Sequence, residues 1–223
     1  MMSMIRIATI LISLFALAEF YLPAQSQGTF TDPRDKQVYQ TITWQIKSDK
    51  DSISEVTWMA QNLNFRHPGS ACFNNDTENC EAFGRLYTFA AAMEGCPPAW
   101  SLPTNDQWQE LTDRFGGKAK AGKKLKSKSK LWLGSRPELE SPYLGSQRYA
   151  GNNKSGFSVI PAGVGTPETG FFKFGLSAVF WSSTSLSELM ASDWIFSVSS
   201  TQVVNSEANK HTTGNAVRYI KTQ

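Results

Sequence analysis

From Gln37 to Ile46 apolar and polar positions alternate, with Val38, Ile42, Trp44 and Ile46 on one face. A period of two is the signature of a half-buried strand, because successive side chains point to opposite faces. Val56 to Leu63 (VTWMAQNL) reads as a second strand. The preceding segment 27–36 (QGTFTDPRDK) reads as an extended lead-in and a turn. A polar loop follows from Asn64 to Asn79.

The period then changes. Leu86, Phe89, Ala90 and Met93 recur at helical spacing within Ala82–Glu94, and Gly95 supplies the stop. Thr104 and Gln107 stand three apart, as a capping box requires, and open a second helix. Trp108, Leu111 and Phe115 form its apolar stripe, and Gly116-Gly117 ends it. Beyond residue 117 short strands are expected near 131–133, 157–161, 178–183, 194–198 and 216–221, separated by Gly, Pro, Asn and Ser. Two early helices followed by a strand-rich half point to an α+β fold with helices packed on mostly antiparallel sheet.

The N-terminus follows a different logic. MMSMIR carries one positive charge, Arg6, and is followed by the uncharged run IATILISLFALA, Ile7 to Ala18. Small residues follow at Ala24 and Ser26. This is the order of a secretory signal, so residues 1–26 are expected to be removed and 27–223 to form one domain. The run is shorter than the roughly 20 apolar residues of a spanning helix. No later apolar stretch is long enough to span a membrane. The expected address is the periplasm, the outer surface or the medium.

Export bears on the three cysteines, Cys72, Cys80 and Cys96, since an oxidising compartment favours pairing. An odd count leaves one over. Cys72 and Cys80 enclose the short polar loop FNNDTEN, which a local bridge is able to staple, and Cys96 precedes two prolines. Their spacings do not suit zinc.

Composition adds little until it is localised. The 223 residues are 40% hydrophobic and 18% charged, enough for a core, and the net charge is +3. That balance carries no nucleic-acid signature. The segment KAKAGKKLKSKSK holds seven lysines (Lys118, Lys120, Lys123, Lys124, Lys126, Lys128 and Lys130) and no acid, so the rest of the chain sums to −4. It reads either as a patch for an anionic polymer or as a solvated loop that keeps an edge soluble. Trp44, Trp58 and Trp108 read as core. Trp132 and Trp194 are candidate platforms for a sugar ring, which stacks on flat apolar faces.

Catalytic chemistry finds few candidates. The sequence has no G-x-S-x-G, P-loop or H-E-x-x-H motif. His67 and His211 are the only histidines, and both fall in polar loops. Asp106, Glu110 and Asp113 beside Arg114 read as a solvated helix face. No cofactor or metal is expected.

Several segments occur together in one order: FTDPRD, WMAQNLNF, CEAFGRLYTFAAAM, CPPAWSLPTNDQWQELTDRFGG, AGKKLKS, GFSVIPAG, FWSSTS and a final G-x-AVRYIK. In this the chain resembles the Fibrobacter succinogenes major paralogous domain family, exported proteins of the Bacteroidetes and Fibrobacteres, over about residues 28–221. The resemblance implies a C-type lectin-like fold. It implies that Trp58–Leu63, or the strand before it, lies beside Val217–Lys221. It also places Tyr219 where members usually carry a cysteine that bridges to the position of Cys96. Cys96 is therefore expected to be a free thiol and Cys72–Cys80 the disulfide. Ser101 stands where the family often has His. The calcium-dependent sugar triplets of true C-type lectins are missing, and Ser192-Asp193-Trp194 has the wrong order. The related formylglycine-generating enzymes use a reactive cysteine pair that cannot be aligned here.

These readings lead to an expected function: an exported, non-catalytic binding module of the cell envelope with a glycan or protein ligand. Its expected surface is the lysine segment, Trp132, Trp194 and the loops 142–154, 163–173 and 183–192. A self-associating envelope subunit and an enzyme on the formylglycine-generating scaffold are the alternatives.

Overall fold

The computed structural model describes residues 25–47, 53–133 and 150–222. The expected signal, residues 1–26, lies outside them but for its last two positions.

Strands β1 (Gln25–Thr31), β2 (Val38–Lys47) and β3 (Ile53–Met59) form an antiparallel meander. The turn between the first two is the FTDPRD segment. Arg34 forks onto Asp32 through Nε and Nη2, at 2.9 and 2.6 Å, and its Nη1 donates to Gly95 O at 2.8 Å. The turn is thus tied to a point 61 residues downstream.

The expected helix Ala82–Glu94 is broken in two. It separates into α1 (Thr77–Phe83), a short strand β5 (Leu86–Tyr87) and α2 (Phe89–Glu94). Gly84 makes the break at φ +76°, where an added Cβ would lie 2.7 Å from Leu63 O. Leu86 and Tyr87 are both buried, and their strand pairs with β4 (Ser70–Ala71). Ala90 and Met93, placed on the apolar stripe by their spacing, are exposed. The apparent helical period came from two elements joined by chance.

The capping box formed as expected. Thr104 and Gln107 cap each other's backbone at the start of α3 (Asn105–Arg114), whose Trp108 and Leu111 are buried. A short strand β6 (Trp100–Ser101) precedes it. After α4 (Ala121–Leu125) come the hairpin β7 (Val164–Thr166) and β8 (Gly170–Phe172), then β9 (Ser177–Ser185), β10 (Met190–Ser197), β11 (Val203–Asn209) and β12 (Ile220–Lys221). The expected strands near 178–183 and 194–198 are present. Residues 131–133 form no strand, and 157–161 make only an isolated bridge, Lys126 to Val159. β11 escaped the reading because the polar run Asn205–Ser206–Glu207 interrupts its apolar positions, as suits the edge of a three-stranded sheet.

The result is a mixed α and β structure with mostly antiparallel sheets and few helices. One sheet runs β1-β2-β3-β12-β6 and another β11-β10-β9. Ile220 pairs with Trp58, Met59 N donates to Tyr219 O and Leu63 N to Val217 O, so the C-terminal segment lies where the resemblance placed it.

Strand alternation feeds two cores. Ile42, Trp44, Trp58, Phe180, Trp194 and Ile220 enter one, with Trp108 at its centre. Tyr39, Met59, Trp181, Val217 and Tyr219 enter the other. Between Val217 and Tyr219 the side chain of Arg218 is 1% exposed and meets no carboxylate among the described residues. Its Nε donates to Asn62 Oδ1 at 2.8 Å, Nη1 to Phe157 O and Nη2 to Ser158 O at 3.0 Å. The guanidinium carbon also lies 4.6 Å from the centre of the Phe157 ring. Burial pushes its pKa down to about 9, which leaves it cationic at neutral pH.

Candidate functional site

The lysine segment is not the loop that its composition suggests. It contains α4, whose Ala121 and Leu125 enter the first core. Gly122 is pressed against the 200s turn: its N–H donates to Thr201 O at 2.9 Å, and a Cβ there would come within 2.6 Å of that oxygen.

Lys126 points inward and is corrected from ligand candidate to structural group. It is 1% exposed, and its Nζ donates to Ser197 O at 2.7 Å and Ser200 O at 2.8 Å. It also stands 5.2 Å from the Trp132 ring centre. Burial pushes this ammonium down to about 8, so the carbonyl pair holds a weakened but still cationic lysine at neutral pH.

The remaining lysines stay at the surface. Lys120, Lys123, Lys128 and Lys130 are exposed, and Lys118 and Lys124 half-buried. Lys118, Lys120, Lys123, Lys124 and Lys128 form no ion pair with a described carboxylate. Their backbone is held from two sides. Val203 N donates to Lys118 O, and Asn152, Asn153 and Ser155 donate to the carbonyls of Lys123, Lys126 and Lys124. The backbone that carries these charges is therefore tied down.

Trp132 and Trp194 are corrected as well. They are 2% and 1% exposed and offer no open face to a sugar. Trp132 Nε1 donates to Val159 O at 3.1 Å. Trp194 Nε1 donates to Asn105 Oδ1 at 3.0 Å, and its ring stacks on Trp108 with centres 6.0 Å apart. Trp194 sits at an inward position of β10 and enters the first core. Lys118 Nζ lies 4.9 Å above the ring centre and covers it from outside.

Cys72 and Cys80 are joined in a disulfide, and Cys96 is a free thiol. Cys96 Sγ lies 2.7 Å from Trp100 O, to which it donates. Burial pushes this thiol up to about 11, so it holds little thiolate at neutral pH.

Of the expected loops, 142–149 lies outside the described residues. Residues 163–173 form the β7–β8 hairpin, with Phe172 exposed. Residues 183–192 hold the β9–β10 turn, which presents Leu186 and Leu189 to the surface. The two histidines line separate hollows, His67 one and His211 the other, that share Gly69 and Ser70. Asp193 is buried; its Oδ2 accepts from Asn215 at 3.2 Å while Oδ1 has no partner. Burial, opposed by that hydrogen bond and by Lys173, pushes the acid up to about 6.

One feature was missed from sequence. A groove of about 410 Å³ runs between α3 and the five-stranded sheet. Trp44 and Trp58 line it, together with Glu55, Gln107, Glu110 and Arg114. Glu110 and Arg114 had read as a solvated helix face. Nothing in their spacing shows that β3 brings Glu55 to the same groove.

The described residues form a mixed α and β domain with mostly antiparallel sheets, one disulfide-stapled loop and a lysine-rich segment held against it. Residues 52–221 match the model of the Fibrobacter succinogenes major domain, and the chain belongs to that family. The match begins after β2, so the FTDPRD turn and the first two strands precede it, where the resemblance had been drawn from residue 28. No curated protein and no solved structure matches the chain significantly.

Proposed function

We propose that the protein is a non-catalytic binding module of a bacterial cell envelope, exported and built on a C-type lectin-like scaffold, with an acidic glycan as ligand. The observation that carries this reading is the cationic ribbon. Lys118, Lys120, Lys123, Lys124 and Lys128 carry no described counter-charge, while Lys126 anchors the same segment from below. A cluster of positive charge on a backbone held in place attracts polyanions. Export rests on the charge and apolar pattern of residues 1–26. Among the described residues no helix is long and apolar enough to cross a membrane.

The test is a binding screen against immobilised acidic and neutral polysaccharides at low and high salt. The comparison is a variant with those five lysines changed to serine and Lys126 kept. Binding to the acidic polymers is expected to fall with salt and to vanish in the variant. Retention of acidic polymers by the variant sinks the reading.

A second reading, a self-associating envelope subunit, has exposed Leu186, Leu189 and Phe172 in its favour. Assembly that rises with concentration in sedimentation, without any glycan, would favour it.

A further inference from the structure

A hollow of about 260 Å³ lies between β1, β2 and the segment 153–160. Its rim carries three glutamines: Gln27 from β1, Gln40 from β2 and Gln61 just beyond β3. All three are exposed, and their Nε2 groups donate to no described residue. Gln61 Oε1 accepts from Gln40 N at 3.3 Å, which orients that amide while its Nε2 stays free. The opposite wall is held by its own hydrogen bonds. Asn153 Nδ2 donates to Ser158 Oγ at 3.1 Å, and Asn153 Oδ1 accepts from Ser158 N at 2.9 Å. Gly156 packs so near β2 that an added Cβ would lie 3.1 Å from Ile42 Cδ1.

No described carboxylate lines this hollow. Arg218 lies beneath it, 1% exposed and without an acidic partner among the described residues. The guanidinium is too deep to touch a ligand, so it acts through its field alone. A cleft with low-dielectric walls focuses such a field, and salt screens a buried charge less than an exposed one. The hollow thus combines reachable neutral donors with a positive field that nothing lining it cancels. A carboxylate meets both conditions: it accepts charge-assisted hydrogen bonds from amide N–H groups and is drawn by the field. A neutral group gains only the hydrogen bonds.

The hollow and the lysine segment share one stretch of backbone. Asn152, Asn153 and Ser155 donate to the carbonyls of Lys123, Lys126 and Lys124, and Asn153 also lines the hollow. The volume lies just below that of drug-sized sites, which suits one sugar residue rather than an oligomer. We infer that this hollow is a subsite for the carboxylate of one uronic acid residue; the choice of a glycan carboxylate rests on the acidic-glycan reading above.

The test is calorimetric titration of the mature chain with trimers of galacturonate and of mannuronate, at high salt to quiet the lysines. At least one trimer is expected to bind saturably, and its methyl ester about tenfold more weakly or worse. Two exposed positions keep the test clear of folding defects. Gln61→Glu retains the acceptor for Gln40 N, and both it and Gln40→Glu put negative charge on the rim. Each is expected to weaken uronate binding about tenfold or more. The five-lysine variant is expected to bind the trimer as the parent does. Failure of both trimers, equal binding of the ester, or indifference to both glutamate variants overturns the inference. Equal binding of trialanine, whose carboxylate is that of a peptide, overturns the assignment to uronate. Titration of the trimer reports on the hollow, and polymer retention by the lysine variant reports on the lysine segment, so the two failures are distinguishable.

Discussion

The Tyr219 hydroxyl donates to Ala92 O at 2.7 Å, linking residues 127 positions apart. Ala92 lies near the end of α2, where helix carbonyls lack partners within the helix. Tyr219 therefore caps α2 from the C-terminal segment, at the position where the family pattern implies a cysteine. Cys96, deprived of that bridge, settles on Trp100 O instead. Tyr219→Phe keeps the ring but strands the Ala92 carbonyl. It is expected to lower unfolding free energy by about 1–2 kcal/mol, measured by urea denaturation.

Lys126 and Lys128 are two residues apart and are expected to behave oppositely. Lys126→Met leaves the carbonyls of Ser197 and Ser200 without their donor and should cost about 2–3 kcal/mol. Lys128→Met alters an exposed position and should stay within about 0.5 kcal/mol. Equal effects in denaturant melts would refute the pinned-ribbon description.

Asp193 gives a pH signature. Its pKa is 3.8 in the reference state and about 6 in the fold. Between those values the folded chain holds more protons than the unfolded one, so stability falls as pH rises through that window. The decline should amount to at most about 3 kcal/mol and be complete just above pH 6. Asp193→Asn should remove this slope. Thermal melts from pH 4 to 7 on both proteins make the comparison.

Cysteine labelling follows from the bonding pattern. Native protein should expose no rapidly alkylated thiol at neutral pH, because Cys96 is half-buried and its pKa is raised to about 11. Denatured, unreduced protein should yield one. Replacing both Cys72 and Cys80 with alanine opens a loop of eight residues' separation and should cost about 2–3 kcal/mol.

Sequence pattern served best where one local rule decided the outcome. The Thr104–Gln107 box, the β2 alternation and the strands around Phe180 and Trp194 all depend on neighbours within a few residues. The α1–β5–α2 break did not yield, because Gly84 is required by Leu63 O, twenty-one residues earlier. Lys126 misled for a related reason. Its composition matches the lysines beside it, and only the arrival of Ser197 and Ser200 makes it a buried donor. The floor of the groove was half legible, since Trp44 and Trp58 read as inward strand positions. Its rim was not, because a helix and a strand fifty residues apart in sequence had to be brought together first. Arg218 gives no local signal, because its three acceptors come from Asn62, Phe157 and Ser158, all distant in sequence.

The place of β12 has a consequence in time. It fills an interior slot, between β3 and β6, and Ile220 pairs with Trp58 on one side and Ser101 on the other. A growing chain makes residues 220 and 221 after both neighbours. Until they arrive, β3 and β6 each present an unpaired edge, and both cores lack side chains from 216–220. The sheet is able to close only when β12 slides between two strands already made. Vectorial synthesis thus leaves this sheet unfinished, and open to pairing with other chains, until residues 220 and 221 have been made.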